Sequence, residues 1–123
     1  MTSKQLLLVA MLLVPAIGPG EAQARSLGKI LYESGLVPGD ISVMETAAMQ
    51  LVDPLGQTGD ARRWSNPASR SNGAVTLGRI KDNCAELVHR VSTVKRPNPV
   101  TYRMWRCRTE DGKWQVSAGP EAR

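Results

Sequence analysis

The sequence has no phenylalanine and a single histidine, and its only cysteines are Cys84 and Cys107. No apolar run reaches the roughly 20 residues needed to cross a hydrocarbon core. Each scarcity excludes something. Without phenylalanine, Trp64, Trp105 and Trp114 are expected to serve mainly as core, since each buries so much area. Set beside neighbouring arginines, they would otherwise form an exposed aromatic and basic surface using cation–π contacts. His89 and two cysteines fall short of a tetrahedral metal site, and the cysteines lack the close C-x-x-C spacing of a redox pair. His89 falls mid-strand with no evident nucleophile and orienting acid, so it reads as strand filler. Gly-rich phosphate loops, zinc spacings, helical nucleic-acid readers and internal repeats are absent. No cofactor, no metal and no nucleic-acid partner is expected, and neither is an enzyme.

What is present begins with an export pattern. Lys4 precedes an apolar run over 5–17, interrupted by Pro15 and followed by Gly18, Pro19 and Gly20. Ala22-Gln23-Ala24 then puts small residues where a signal peptidase needs them, so 1–24 is expected to be a cleavable signal peptide. No cysteine follows that could carry a lipid, and no transmembrane span is expected in the mature chain.

About a hundred residues remain, enough for one small domain that is often short of core and benefits from a staple. In an oxidising compartment, a disulfide between Cys84 and Cys107 is the default. Closing a loop of that size contributes about 3 kcal/mol in the chain-entropy model. The formal charge of +5 is unchanged when Lys4 and Glu21 leave with the signal. Behind a signal peptide, the available polyanions are lipopolysaccharide phosphates, anionic lipids and cell-wall polymers. Arg62, Arg63, Arg103, Arg106 and Arg108 are the candidate anion-binding residues, against the plainer reading of a solvated basic surface.

Residues 25–41 are broken by Gly28, Gly35, Pro38 and Gly39 and read as an irregular leader draped over the domain. Ser42 and Glu45 make a capping-box pattern. A helix over 43–52 follows, with Met44, Ala47, Ala48, Leu51 and Val52 at helical spacing and Pro54 as a stop. Its polar face lacks the Lys and Arg of a membrane-surface helix. From Arg62 onward, short alternating segments predict strands over 62–65, 74–81, 85–94, 100–109 and 113–118. Asp111-Gly112 reads as a two-residue type I′ turn with Glu110 facing Lys113; Glu110 and Asp111 are therefore turn residues, not an acid/base pair. If Thr93 pairs with Asn98 across the proline-rich loop 95–99, Cys84 falls directly opposite Cys107. That register puts Ala85, Leu87, His89, Val91, Val100, Tyr102 and Met104 on one face and Glu86, Val88, Arg90, Trp105 and Cys107 on the other. Trp114 and Val116 fall on the Trp105 side, which leaves both faces apolar and calls for a bulge or a second cover.

The segment 43–116 resembles the C-terminal domain of the bacterial 17 kDa surface antigen family, the outer-membrane surface antigens. The resemblance lies in the Ala-rich helix 44–51, Arg63-Trp64-Ser65-Asn66-Pro67 with Ser69, Gly73-Ala74-Val75-Thr76, Cys84, Arg106-Cys107-Arg108, and Asp111-Gly112-Lys113-Trp114-Gln115-Val116. Trp64, Asn66, Pro67, Gly73, Asp111, Gly112 and Trp114 read as fold determinants: Asn66-Pro67 fits a chain reversal, and Gly73 precedes a strand with Val75 and Leu77 inward. The resemblance implies an envelope location and a small helix-plus-sheet domain, with no catalytic residues to carry over. The lipobox cysteine and glycine-zipper segment of many relatives are missing.

The resulting expectation is an α+β domain over 42–118 with a tail over 119–123, one N-terminal helix packed on an antiparallel β-meander of four or five strands, and a single disulfide. The signal, charge and resemblance together suggest a non-enzymatic exported protein, periplasmic or associated with the outer membrane, contacting lipopolysaccharide, anionic lipid or envelope proteins. The alternative is a secreted binding or inhibitor module with a specific protein partner.

Overall fold

The structure, a computed structural model, describes residues 33–122. The expected signal peptide, its cleavage after Ala24 and the first part of the leader lie outside these residues. The described chain runs through helix α1 (Pro38–Val52) and strands β1 (Ala61–Asn66), β2 (Ser71–Lys81), β3 (Cys84–Ser92), β4 (Val100–Arg108) and β5 (Trp114–Ser117), then a short 3-10 turn at Pro120–Ala122. The five strands form one antiparallel sheet in the order β1-β2-β3-β4-β5, so every strand pairs with its sequence neighbour. Helix α1 covers one face, packing on β1 and β2. The α+β meander expected from the sequence is therefore present, with its helix at 38–52. No helix among the described residues is long and apolar enough to cross a membrane.

The helix begins earlier than the sequence pattern suggested. Pro38 occupies its first turn, where the missing N–H costs nothing. Asp40, at the third helical position, accepts the Val37 N–H at 3.0 Å. Ser42 is consequently not a cap: it sits within the helix, and its carbonyl accepts the Thr46 hydroxyl. The leader likewise ends in ordered structure. Leu36 is buried in the core, and the Ser34 carbonyl accepts the Thr93 hydroxyl at 2.6 Å. That hydroxyl also takes the Arg96 N–H, so Thr93 closes the β3–β4 loop and does not itself join the ladder.

The β3–β4 register is the expected one: Cys84 pairs with Cys107 and Val91 with Val100. The disulfide joins residues directly opposite one another, with Cα atoms 3.9 Å apart. Alternation then buries Ala85, Leu87, Val91, Tyr102 and Met104 on the helix side, together with Trp64, Val75 and Leu77 from β1 and β2, and His89 among them. Burying a Val or Leu side chain of this kind contributes about 1.5–3 kcal/mol.

Two turns differ from the expectation. The type I′ signature lies at Asp82-Asn83, whose φ values are 50° and 62°. At the β4–β5 hairpin only Gly112 has positive φ, at 86°. There Thr109 N–H donates to the Lys113 carbonyl at 2.7 Å, enclosing a three-residue loop of Glu110, Asp111 and Gly112. The extra loop residue shifts the register by one, pairing Arg108 with Trp114 and Arg106 with Val116. A one-residue slip exchanges the faces. Trp114 and Val116 thus pack against the helix-side core, not on the Trp105 side, and the conflict of two apolar faces disappears.

Candidate anion-binding face

The sheet face turned away from α1 collects the odd residues of β1 and β4 and the even residues of β3. Reading across β1, β2, β3 and β4, one row is Arg63, Ala74, Arg90 and Thr101, and the next is Ala61, Thr76, Val88 and Arg103. Toward the disulfide end, Glu86 stands opposite Trp105. A bulge between Leu77 and Ile80 brings Gly78 and Arg79 to the same place. Gly78 leaves room for the Glu86 carboxylate: a Cβ there would lie 2.8 Å from it, and Glu86 would have to shift.

Glu86 is almost fully buried and is the centre of the charged arrangement. Arg79 donates to it through Nε at 3.2 Å and Nη2 at 3.0 Å, a bidentate fork across the bulge. Arg103 approaches the same carboxylate at 3.8 Å. The Arg79 hydrogen bonds hold the Glu86 carboxyl below its usual range, outweighing the burial that would raise it. The Arg79 guanidinium also lies over the Trp105 ring, 5.1 Å from its centroid, within cation–π range. Gly119 folds the chain terminus against the same indole. Further along the face, Arg63 and Arg90 are exposed and flank a shallow cleft of about 220 Å³, lined also by Asn72, Ala74 and Ser92.

The five arginines singled out from the sequence do not form one site. Arg63 and Arg103 share the outer face. Arg106 points to the helix side, where it is buried and ion-paired with Glu45 of α1. Arg62 projects from the edge strand on that same side, its guanidinium donating to the neighbouring Ala61 carbonyl. Arg108 lies beside the 110–112 turn. Arg79 and Arg90 complete the outer face and lie outside the five arginines expected from the sequence; strand alternation combined with the β3–β4 register marks Arg90. The tryptophans divide as well. Trp64 is core and Trp114 packs against it, whereas Trp105 lies on the outer face beneath Arg79.

The motif residues have structural work. Asn66 donates from Nδ2 to Asp40 at 2.8 Å, and Ser69 donates to the same carboxylate oxygen at 2.5 Å. The reversal at Pro67 thereby ties the end of β1 to the start of α1. Gly73 lies beneath Trp64: a Cβ there would stand 2.3 Å from the Arg90 carbonyl and 3.0 Å from the indole. Asp111 accepts the Thr109 hydroxyl and the Lys113 N–H, closing the last turn.

His89 is 4% exposed, and neither ring nitrogen has a hydrogen-bond partner among the described residues. Burial, reinforced by the nearby Arg106 charge, lowers its pKa to about 4, so the ring is neutral at physiological pH. No group of three or more His, Cys, Asp or Glu side chains among the described residues could hold a metal ion. No family model, curated protein or solved structure matches this chain.

Proposed function

We propose that this chain is a non-enzymatic exported protein of the bacterial envelope, of the surface-antigen type, whose outer sheet face contacts anionic outer-membrane components. The observation that carries the reading is the charge of that face: Arg63, Arg79, Arg90 and Arg103 stand there against the carboxylate of Glu86 alone among its strand residues. Three features of the chain support it: the signal-like 1–24, the Cys84–Cys107 bridge suited to an oxidising compartment, and the resemblance of 43–116 to outer-membrane surface antigens. A cationic sheet face suits phosphorylated or carboxylated headgroups, attracted through its field.

Cell fractionation together with vesicle co-sedimentation tests this. The mature protein is expected outside the cytosol, with 1–24 removed, and it should bind lipopolysaccharide-containing vesicles in a manner that weakens with salt. Recovery from the cytosol with an intact initiator end overturns the proposal. Stoichiometric capture of one protein partner, without vesicle binding, favours the secreted binding or inhibitor module instead.

A further inference from the structure

Arg63 and Arg90 occupy the same row of the sheet with Ala74 of β2 between them. Neighbouring strands lie about 4.8 Å apart, so the two backbones are about 10 Å apart. The small Ala74 side chain leaves the gap between the two arginine stems open, which is the cleft of about 220 Å³. No ion pair joins either arginine to a described carboxylate, whereas Arg79 and Arg103 share Glu86 and Arg106 has Glu45. Two arginines that line one cleft repel each other, and an anion held between them relieves that repulsion.

The cleft chemistry narrows what that could be. Each guanidinium presents paired N–H donors that match phosphoryl oxygens. Asn72 and Ser92 add neutral donors at the same opening. The cleft is shallow, and its lining mixes Arg63, Asn72, Arg90 and Ser92 with the small apolar surfaces of Gly73, Ala74 and Pro99, which suits a compact headgroup better than an acyl chain. A phosphate monoester carries nearly two negative charges at neutral pH, enough to balance both arginines. A diester carries one and would leave one arginine uncompensated.

We propose that the Arg63–Arg90 cleft is a binding site for a phosphate monoester. The identity of its natural carrier rests on the envelope reading above, under which it is a phosphorylated sugar of an outer-membrane glycolipid. The site itself follows from the cleft and does not depend on where the protein resides.

The test is an amide NMR titration of the folded, oxidised protein with glucosamine 1-phosphate, and with dimethyl phosphate as the diester control. Saturable shifts confined to Asn72, Gly73, Ala74, Ser92 and their strand neighbours are expected, with the diester about tenfold weaker. The double variant Arg63→Gln, Arg90→Gln should weaken monoester binding by at least about tenfold. Arg62→Gln, next to Arg63 in the chain but on the opposite side of the sheet, should leave it unchanged. All these positions are exposed, and unaltered amide dispersion verifies that each variant folds. Shifts that never saturate, or an equal loss in Arg62→Gln, overturn the site in favour of diffuse charge. A second arm separates the two proposals. If lipopolysaccharide vesicles bind while the titration is silent, the envelope contact stands and the cleft falls. If the titration saturates but vesicles do not bind, the cleft stands and the envelope contact falls.

Discussion

His89 is a polar ring in an apolar place. It sits between Val75 of β2 and Tyr102 of β4, and its nitrogens find no partner among the described residues. Charging it would put a cation into the core beside Arg106, which is why its pKa falls to about 4. In the unfolded chain a histidine titrates near 6.5. Between these values the unfolded state binds the extra proton, so stability is full above about pH 6.5 and is lost as pH falls toward 4. The difference corresponds to about 3 kcal/mol. Urea denaturation across this window should show that slope, and His89→Leu should flatten it. A variant retaining the full slope would show that another group is responsible. Below about pH 4, a second loss comes from carboxylates whose folded pKa lies below the ordinary value, Asp40 and Glu86. His89→Leu should leave that loss in place.

At the scale of elements, the critical joint is between α1 and the β1–β2 reversal. The Asp40 carboxylate is fully buried and receives the Val37 N–H, the Asn66 amide and the Ser69 hydroxyl. Burial alone would raise its pKa, but these hydrogen bonds together hold it below the usual range. Asp40→Ala would strand the donors and release the helix start, at a cost of about 3 kcal/mol in chemical denaturation. Asp40→Asn, which keeps an acceptor oxygen, should cost less. This joint was only half legible in the sequence. Asn66-Pro67 reads as a reversal without help, but its partner lies in a stretch where Pro38 and Gly39 resemble a break; proline is equally at home in the first turn of a helix. The strands show the same division. Two cysteines and a proline-rich loop specify the β3–β4 register, because only one alignment satisfies both. Nothing comparable constrains β4–β5, where two-residue and three-residue loops both accept Asp-Gly, and the choice between them decides which face Trp114 takes.

For the molecule as a whole, the sheet divides the arginines between its two faces. The helix side holds Arg106 in an ion pair within the packing, while Arg63, Arg90 and Arg103 stand exposed on the other side. Arginine content alone could not reveal this. Arg62 and Arg63 are adjacent, so they point to opposite faces, and Arg103 differs in parity from Arg106 and Arg108. The covalent staple acts at the same scale. Cys84 and Cys107 close the central pair of strands at the end remote from the Arg63–Arg90 cleft. Removing the bridge by Cys84→Ser with Cys107→Ser should lower stability by about 3 kcal/mol. The sheet order and the vesicle affinity should persist if the variant remains folded at low temperature, as circular dichroism and co-sedimentation would establish. Loss of the sheet itself would show that the strands depend on the crosslink for more than stability.

The neighbour-to-neighbour order of the strands also bears on how the polypeptide acquires its shape. No strand must wait for a distant segment, so the sheet can zip outward from any hairpin, a topology associated with rapid folding. The thiols face each other across the first hairpin they could join, 23 residues apart in the chain. Once that hairpin has formed, an oxidant meets them side by side, with no competing cysteine in the sequence to mispair.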